Sequence, residues 1–328
     1  MSGPLIQHYR IDNFTFKDGT GPTSIHLAFL DINPTVENVA LVLTCFRGRL
    51  DSTLTFRHGA LKNHRVIVVA LFGNGESSSP SNMANFPPLL DYQDCVRAQH
   101  QLISSRLNIQ AIEVVVGFSM GGQCSYYWTL LYPEMVRNAV IVCSSARTSR
   151  HNYQLEGPKA ALEFSADYRA ENGSRSTSKA LGGLQAFGKA YSAWLTSPEW
   201  FKEEMYKSLG YDTLADWDEH ATKKNYHNWH PDDLLSMVGM WQRGNVTSIL
   251  GDASLQDTLS RIKARVLVMP CSTDQYFRWE ASDKESRAIA GSIFKIIPST
   301  WGHLAGIGYN TEDKEFIDQA IAEFLIVE

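Results

Sequence analysis

Much is missing from this 328-residue chain, and each absence removes a class of function. No apolar run approaches the ~20 residues needed to cross a bilayer. The opening Met-Ser-Gly-Pro-Leu-Ile-Gln-His-Tyr-Arg holds no apolar core of a secretion signal. A membrane is therefore not expected as a partner, and a cytoplasmic location is. The five cysteines (Cys45, Cys95, Cys124, Cys143 and Cys271) are odd in number and form no Cys-x-x-Cys pair or zinc spacing. Several fall inside apolar runs, where cysteine acts as a small hydrophobe in a reducing compartment. Positive charge is not in excess: 30 Lys and Arg against 35 Asp and Glu leave a net charge of −5. Nucleic acid is thus not expected either, because phosphate binding needs clustered cations. Internal repeats and low-complexity linkers are also lacking.

What the chain does have is alternation. Short β-branched runs at 24–31, 38–45, 65–72, 112–116, 139–143, 264–269 and 292–297 are separated by helical patterns, notably at 88–107, 120–131, 280–290 and 312–325. Such alternation predicts a mostly parallel central sheet flanked by helices. Arg65-Val-Ile-Val-Val-Ala-Leu-Phe72 is nearly all apolar, as a strand buried on both faces must be. From about 150 to 250 the strand signal stops. This stretch carries five of the eight tryptophans (Trp194, Trp200, Trp217, Trp229 and Trp241) and patterns as helix. Residues 1–150 and 251–328 are accordingly expected to form an α/β core, and 151–250 a helical lid inserted over the strands' C-terminal ends. Open α/β sheets bind ligands at those ends.

The sharpest chemical signal is Gly117-Phe118-Ser119-Met120-Gly121-Gly122, set directly between a strand and a helix. A Gly-x-Ser-x-Gly elbow bends the backbone so tightly that the serine hydroxyl stands exposed at the helix N-terminus, where developing negative charge is favoured. No Gly-x-Gly-x-x-Gly fingerprint accompanies it, so a nucleotide-binding turn is the weaker reading. An activated serine needs a base, and the base needs an orienting acid. In the α/β-hydrolase fold they follow in the order Ser, acid, His. Asp274 lies just beyond strand 264–269, and His303 just beyond strand 292–297. Of ten histidines, only His303 is downstream of both Ser119 and Asp274.

The oxyanion of a tetrahedral intermediate needs two backbone N–H donors. Met120 follows the nucleophile, and Phe46 lies in the loop after strand 38–45. Arg47, next to Phe46, is a candidate substrate contact. Among the lid tryptophans Trp194 is a candidate wall of an apolar acyl pocket. His227 and His230 stand three apart, but Pro231 marks a helix start between them and the rest of that helix, and no third ligand is evident. Capping and packing is the expected role, with no metal and no cofactor.

Taken together, Phe72–Asn82, Val96–His100, Gly117–Gly122, Ser144–Ser149 and Asn225–Leu235 make the chain resemble the homoserine O-acetyltransferase-like branch of the α/β-hydrolases over nearly its whole length. The resemblance implies the same nucleophile, acid, base and oxyanion donors: Ser119, Asp274, His303, Phe46 and Met120. Two positions depart from it. True homoserine acetyltransferases follow the catalytic histidine with an aspartate that helps hold the ammonium, and here Leu304 stands there. They also clamp the substrate carboxylate with a lid arginine, and here that position aligns with Gly188, beside Lys189. The acyl-transfer machinery is kept and the amino-acid clamp is not.

The leading expectation is a serine hydrolase that cleaves an ester, thioester or related acyl bond through an acyl-enzyme. An acyltransferase with an acceptor other than homoserine, in specialised (secondary) metabolism, is the alternative. A ligand receptor on the same fold is the third, and an intact Ser–His–Asp set argues against it. The expected partners are a small-molecule acyl substrate, acyl-CoA included, and a second copy of the chain in a homodimer.

Overall fold

A computed structural model describes residues 4–53, 56–169, 180–251 and 253–326. One eight-stranded sheet organises them, with strands β1 (Gln7–Phe14), β2 (Thr23–Ile32), β3 (Val39–Leu43), β4 (Arg65–Val69), β5 (Ile112–Phe118), β6 (Val136–Val142), β7 (Arg265–Met269) and β8 (Ile293–Phe294). Their order is β1-β2-β4-β3-β5-β6-β7-β8. β1 and β2 run antiparallel, and from β4 onward every pairing is parallel. The fully apolar strands are the central ones, because helices cover both faces of the sheet there. Leu41 and Leu43 point to one core and Ala40 and Val42 to the other. The strand ends lie level: Leu43 pairs with Gly117, Gly117 with Ile141, and Val142 with Met269. A row of loops therefore opens along one edge of the sheet.

Helices α1 (Tyr92–Gln101) and α2 (Met120–Leu131) precede the central insertion, and α8 (Leu255–Leu259), α9 (Trp279–Arg287) and α10 (Thr311–Ile326) follow it. Between β6 and β7 the described residues of the insertion hold α3 (Glu156–Glu163), α4 (Leu181–Ser192), α5 (Pro198–Lys202), α6 (Leu214–Trp217) and α7 (Pro231–Arg243), with short 3-10 and π turns. Residues 170–179 of the expected lid lie outside the described residues. The two ends of the stretch are tied together. Arg147 bridges Asn245, Thr148 N–H donates to Gly244 at 2.9 Å, and Val246 N–H donates to Ala146 at 3.2 Å. Two strand boundaries differ from the sequence reading. β1 carries no apolar run that marks it as a strand, since it is an edge strand whose residues are exposed or half-buried apart from Ile11 and Phe14. β8 is two residues long rather than six, with only a further bridge from Cys271 to Ile297. No helix among the described residues is long and apolar enough to cross a membrane.

Candidate active site

The elbow is as tight as its glycines allow. A Cβ on Gly117 would lie 2.1 Å from the Gly121 carbonyl oxygen, and one on Gly121 would lie 2.5 Å from the carbonyl of Leu43. No side chain fits at either position, so at these two points β5, α2 and β3 approach through backbone. Ser119 sits at φ 56° and ψ −125°, a conformation L-residues rarely adopt. Its surroundings hold it there. Its N–H donates to Val142 at 3.0 Å, and its carbonyl accepts from the Ser144 hydroxyl at 2.6 Å and from Gln123 N–H at 3.1 Å. α2 itself is buried along most of its length, and several of its polar side chains are paired inside, although the Tyr126 hydroxyl has no hydrogen-bond partner among the described residues. Gln123 joins the Tyr92 hydroxyl to that of Thr148, and Trp128 donates to Gln99.

His303 Nε2 lies 2.9 Å from Ser119 Oγ, and His303 Nδ1 lies 2.7 Å from Asp274 Oδ2. The three side chains come from loops after β5, β7 and β8, and all are buried. The other Asp274 oxygen accepts the N–H groups of Tyr276 and Phe277 at 2.8 and 3.0 Å. Both carboxylate oxygens thus act as acceptors. The Nδ1 proton is held toward the acid, which leaves Nε2 to accept the serine proton. Three rings cage the imidazole: Phe118 at 4.6 Å, Tyr276 at 5.4 Å and Phe277 stacked at 5.5 Å between centroids. The N–H groups of Met120, at the start of α2, and of Phe46, after β3, have no hydrogen-bond acceptor among the described residues. A cavity of about 320 Å³ opens over Ser119 and His303.

A family model for the alpha/beta hydrolase fold matches residues 46–308. The chain belongs to the α/β-hydrolase family. Among its relatives is the ethyl acetate hydrolase of Pseudomonas veronii, 33% identical over 79% of this chain and 76% of that one. The solved structure of an acetylester hydrolase from Corynebacterium glutamicum superposes with a TM-score of 0.92 at 25% identity, covering 98% of this chain and 96% of the other. A homoserine O-acetyltransferase of Trichormus variabilis is 22% identical over 88% of this chain and 86% of its own. The chain is thus similar both to esterases and to acyltransferases.

The substrate-side expectations for this chain fare unevenly. Leu304 does line the cavity, beside His303. Trp194 does not: it is 41% exposed and outside the lining, and this expectation is corrected. α4 ends at Ser192, so Trp194 leaves the helical face that turns Phe187 and Tyr191 inward. Trp217 of α6 lines the cavity instead. Gly188 abuts its neighbours so closely that a Cβ there would meet the Thr222 carbonyl at 2.2 Å. Lys189 points outward to an ion pair with Asp218 at 2.9 Å. His227 contacts Gln185 at 2.9 Å, and His230 caps α7 by accepting from Asp232 N–H. Cys45 also borders the cavity, but burial pushes its thiol up to about 12, far from a nucleophilic thiolate.

Sequence reasoning missed the imidazole cage, although Phe118 lies inside the elbow motif and Tyr276 and Phe277 directly follow Asp274. It also missed how the acid and base loops are fastened. Thr273 Oγ1 donates to Ser299 O at 2.7 Å and accepts from Gly302 N–H at 3.1 Å, so the two loops brace each other.

Proposed function

We propose that this protein is a carboxylic ester hydrolase that works through an acyl-serine. The observation that carries the reading is the unbroken hydrogen-bonded series Ser119–His303–Asp274 at the mouth of a cavity, in a chain similar to an ethyl acetate hydrolase and an acetylester hydrolase. Ser119 Oγ attacks the ester carbonyl while its proton passes to His303 Nε2. The Asp274 carboxylate stabilises the imidazolium that forms, and the N–H groups of Met120 and Phe46 hold the oxyanion. Collapse breaks the bond to the alkoxy oxygen, which leaves with the proton from Nε2. Water, deprotonated by the same nitrogen, then releases the acid and restores the serine. The helices between β6 and β7 serve as a lid, because Tyr191, Leu195, Trp217 and Asn225 all face this cavity.

The test is p-nitrophenyl acetate and ethyl acetate turnover together with fluorophosphonate labelling. Hydrolysis and labelling by the wild type, and neither by Ser119→Ala, are expected. Equal turnover by Ser119→Ala would remove the assignment. Labelled protein that consumes ester only when an alcohol acceptor is added would make it an acyltransferase.

A further inference from the structure

We infer that the ester this site prefers carries a carboxylate, and that Arg47 receives it. The inference rests on the esterase reading above and names its substrate class. Among the described residues lining the cavity there is no Asp, no Glu and no Lys, and Arg47 is the one arginine. Its guanidinium lies over the Tyr226 ring, 3.8 Å from the centroid, and Nη2 donates to the Asn225 carbonyl at 3.2 Å. That carbonyl is the one acceptor within hydrogen-bonding distance among the described residues, and the Tyr226 hydroxyl also interacts with the guanidinium. Nε is buried and has none. A guanidinium offers five N–H donors in a fork that matches a carboxylate. Most of the fork is unused.

The nearby arginine makes an instructive contrast. Arg49, two residues on, also stacks on an aromatic ring, that of Trp229 at 3.9 Å. Yet it spends its charge on the protein, donating to the Asn74 carbonyl at 2.5 Å beside the buried carboxylate of Asp233. Arg47 has the platform without the acid. It is also held at φ +57°, a left-handed backbone that costs about 1 kcal/mol and that glycine would adopt freely. The chain thus keeps a long cation in a strained position directly after Phe46, the proposed oxyanion donor. A positive charge between low-dielectric walls raises the local concentration of anions. Arg49 shares the Trp229 ring but does not line the cavity, and a single cation at the lining suits a singly charged carboxylate better than a phosphate dianion.

The carboxylate can lie on either side of the scissile bond, and the test separates the two. Monoethyl succinate carries it on the acyl side and 3-acetoxypropanoate on the alcohol side. Each is compared with its neutral primary amide. The wild type should favour at least one acid over its amide by about thirtyfold in kcat/KM, the scale of one desolvated charge pair. Arg47→Met should abolish that preference and Arg47→Lys retain part of it. Wild-type enzyme that hydrolyses p-nitrophenyl acetate but shows no preference for either acid would overturn the inference while leaving the esterase reading intact. Calorimetry decides the matter without turnover. Ser119→Ala should bind one of the two acids, and Ser119→Ala/Arg47→Met should not. Equal binding by both proteins, or binding by neither, would count against the carboxylate site.

Discussion

At the scale of single residues, the site is one device rather than three. Ser119, His303 and Asp274 are each within 3 Å of the next, and none has spare solvent to replace a lost partner. Ser119→Ala should therefore lower kcat by about four to six orders of magnitude, and His303→Ala by a similar factor. Their double variant should lose little more, since the residues act together. Circular dichroism should show all three folded, because the elbow is set by backbone contacts at Gly117 and Gly121. A roughly multiplicative loss in the double variant would mean independent roles. These three residues were legible because chain order and strand-end placement leave little choice. Trp194 was not, because composition cannot say on which residue a helix stops. One further turn of α4 would have pointed that ring elsewhere.

At the scale of elements, legibility followed burial. Strands β3 to β7 are covered on both faces and so read as apolar runs, whereas β1 is an edge strand with one wet face and left no such trace. α9 was legible as a helix, but not as a clamp. Its Glu285 reaches beneath the loop after β6 and accepts the N–H groups of Ala146 and Arg147 at 2.9 and 3.2 Å. Complete burial pushes this carboxyl up from 4.5 to about 7. A raised carboxyl is protonated in the fold while still ionised when unfolded. Its contribution to stability is thus full below about pH 4.5 and is lost as pH climbs toward 7 and above. The swing is on the order of 3 kcal/mol. Urea unfolding at pH 5 and pH 8 should show the wild type losing stability across this interval more steeply than Glu285→Gln. Parallel profiles would show that Glu285 does not titrate there.

At the scale of the whole molecule, the question is what a shared fold permits. The chain is similar both to esterases and to homoserine O-acetyltransferases. We propose that the residues around the cavity decide between the two activities. A small amino acid offers little apolar surface, so its recognition depends on charge partners at both ends, each worth ~2–5 kcal/mol when desolvated. Leu304 supplies none for an ammonium. At position 188 the backbone of Thr222 leaves no space for the arginine that would hold a carboxylate, and Lys189 is turned outward into an ion pair with Asp218. Incubation with acetyl-CoA and homoserine should therefore give no O-acetylhomoserine above the enzyme-free background. Efficient turnover would show that another set of groups holds both ends of the amino acid.

The segment from Leu195 to Ser197 joins the helical insertion to the machinery beneath it. The Leu195 carbonyl accepts the N–H of His303 at 3.0 Å, the Thr196 carbonyl accepts from Gln275 at 2.7 Å, and Ser197 Oγ donates to Thr300 at 2.6 Å. The loops that carry the base and the acid are both sutured to the insertion, within three consecutive residues. For anyone recombining these enzymes, the upper helices are consequently not an exchangeable cassette. A chimera that imports a relative's insertion with its own version of this seam would be mounting His303 on foreign anchors. A graft joined on the far side of Ser197, leaving the native seam in place, would inherit a new ceiling above an undisturbed base.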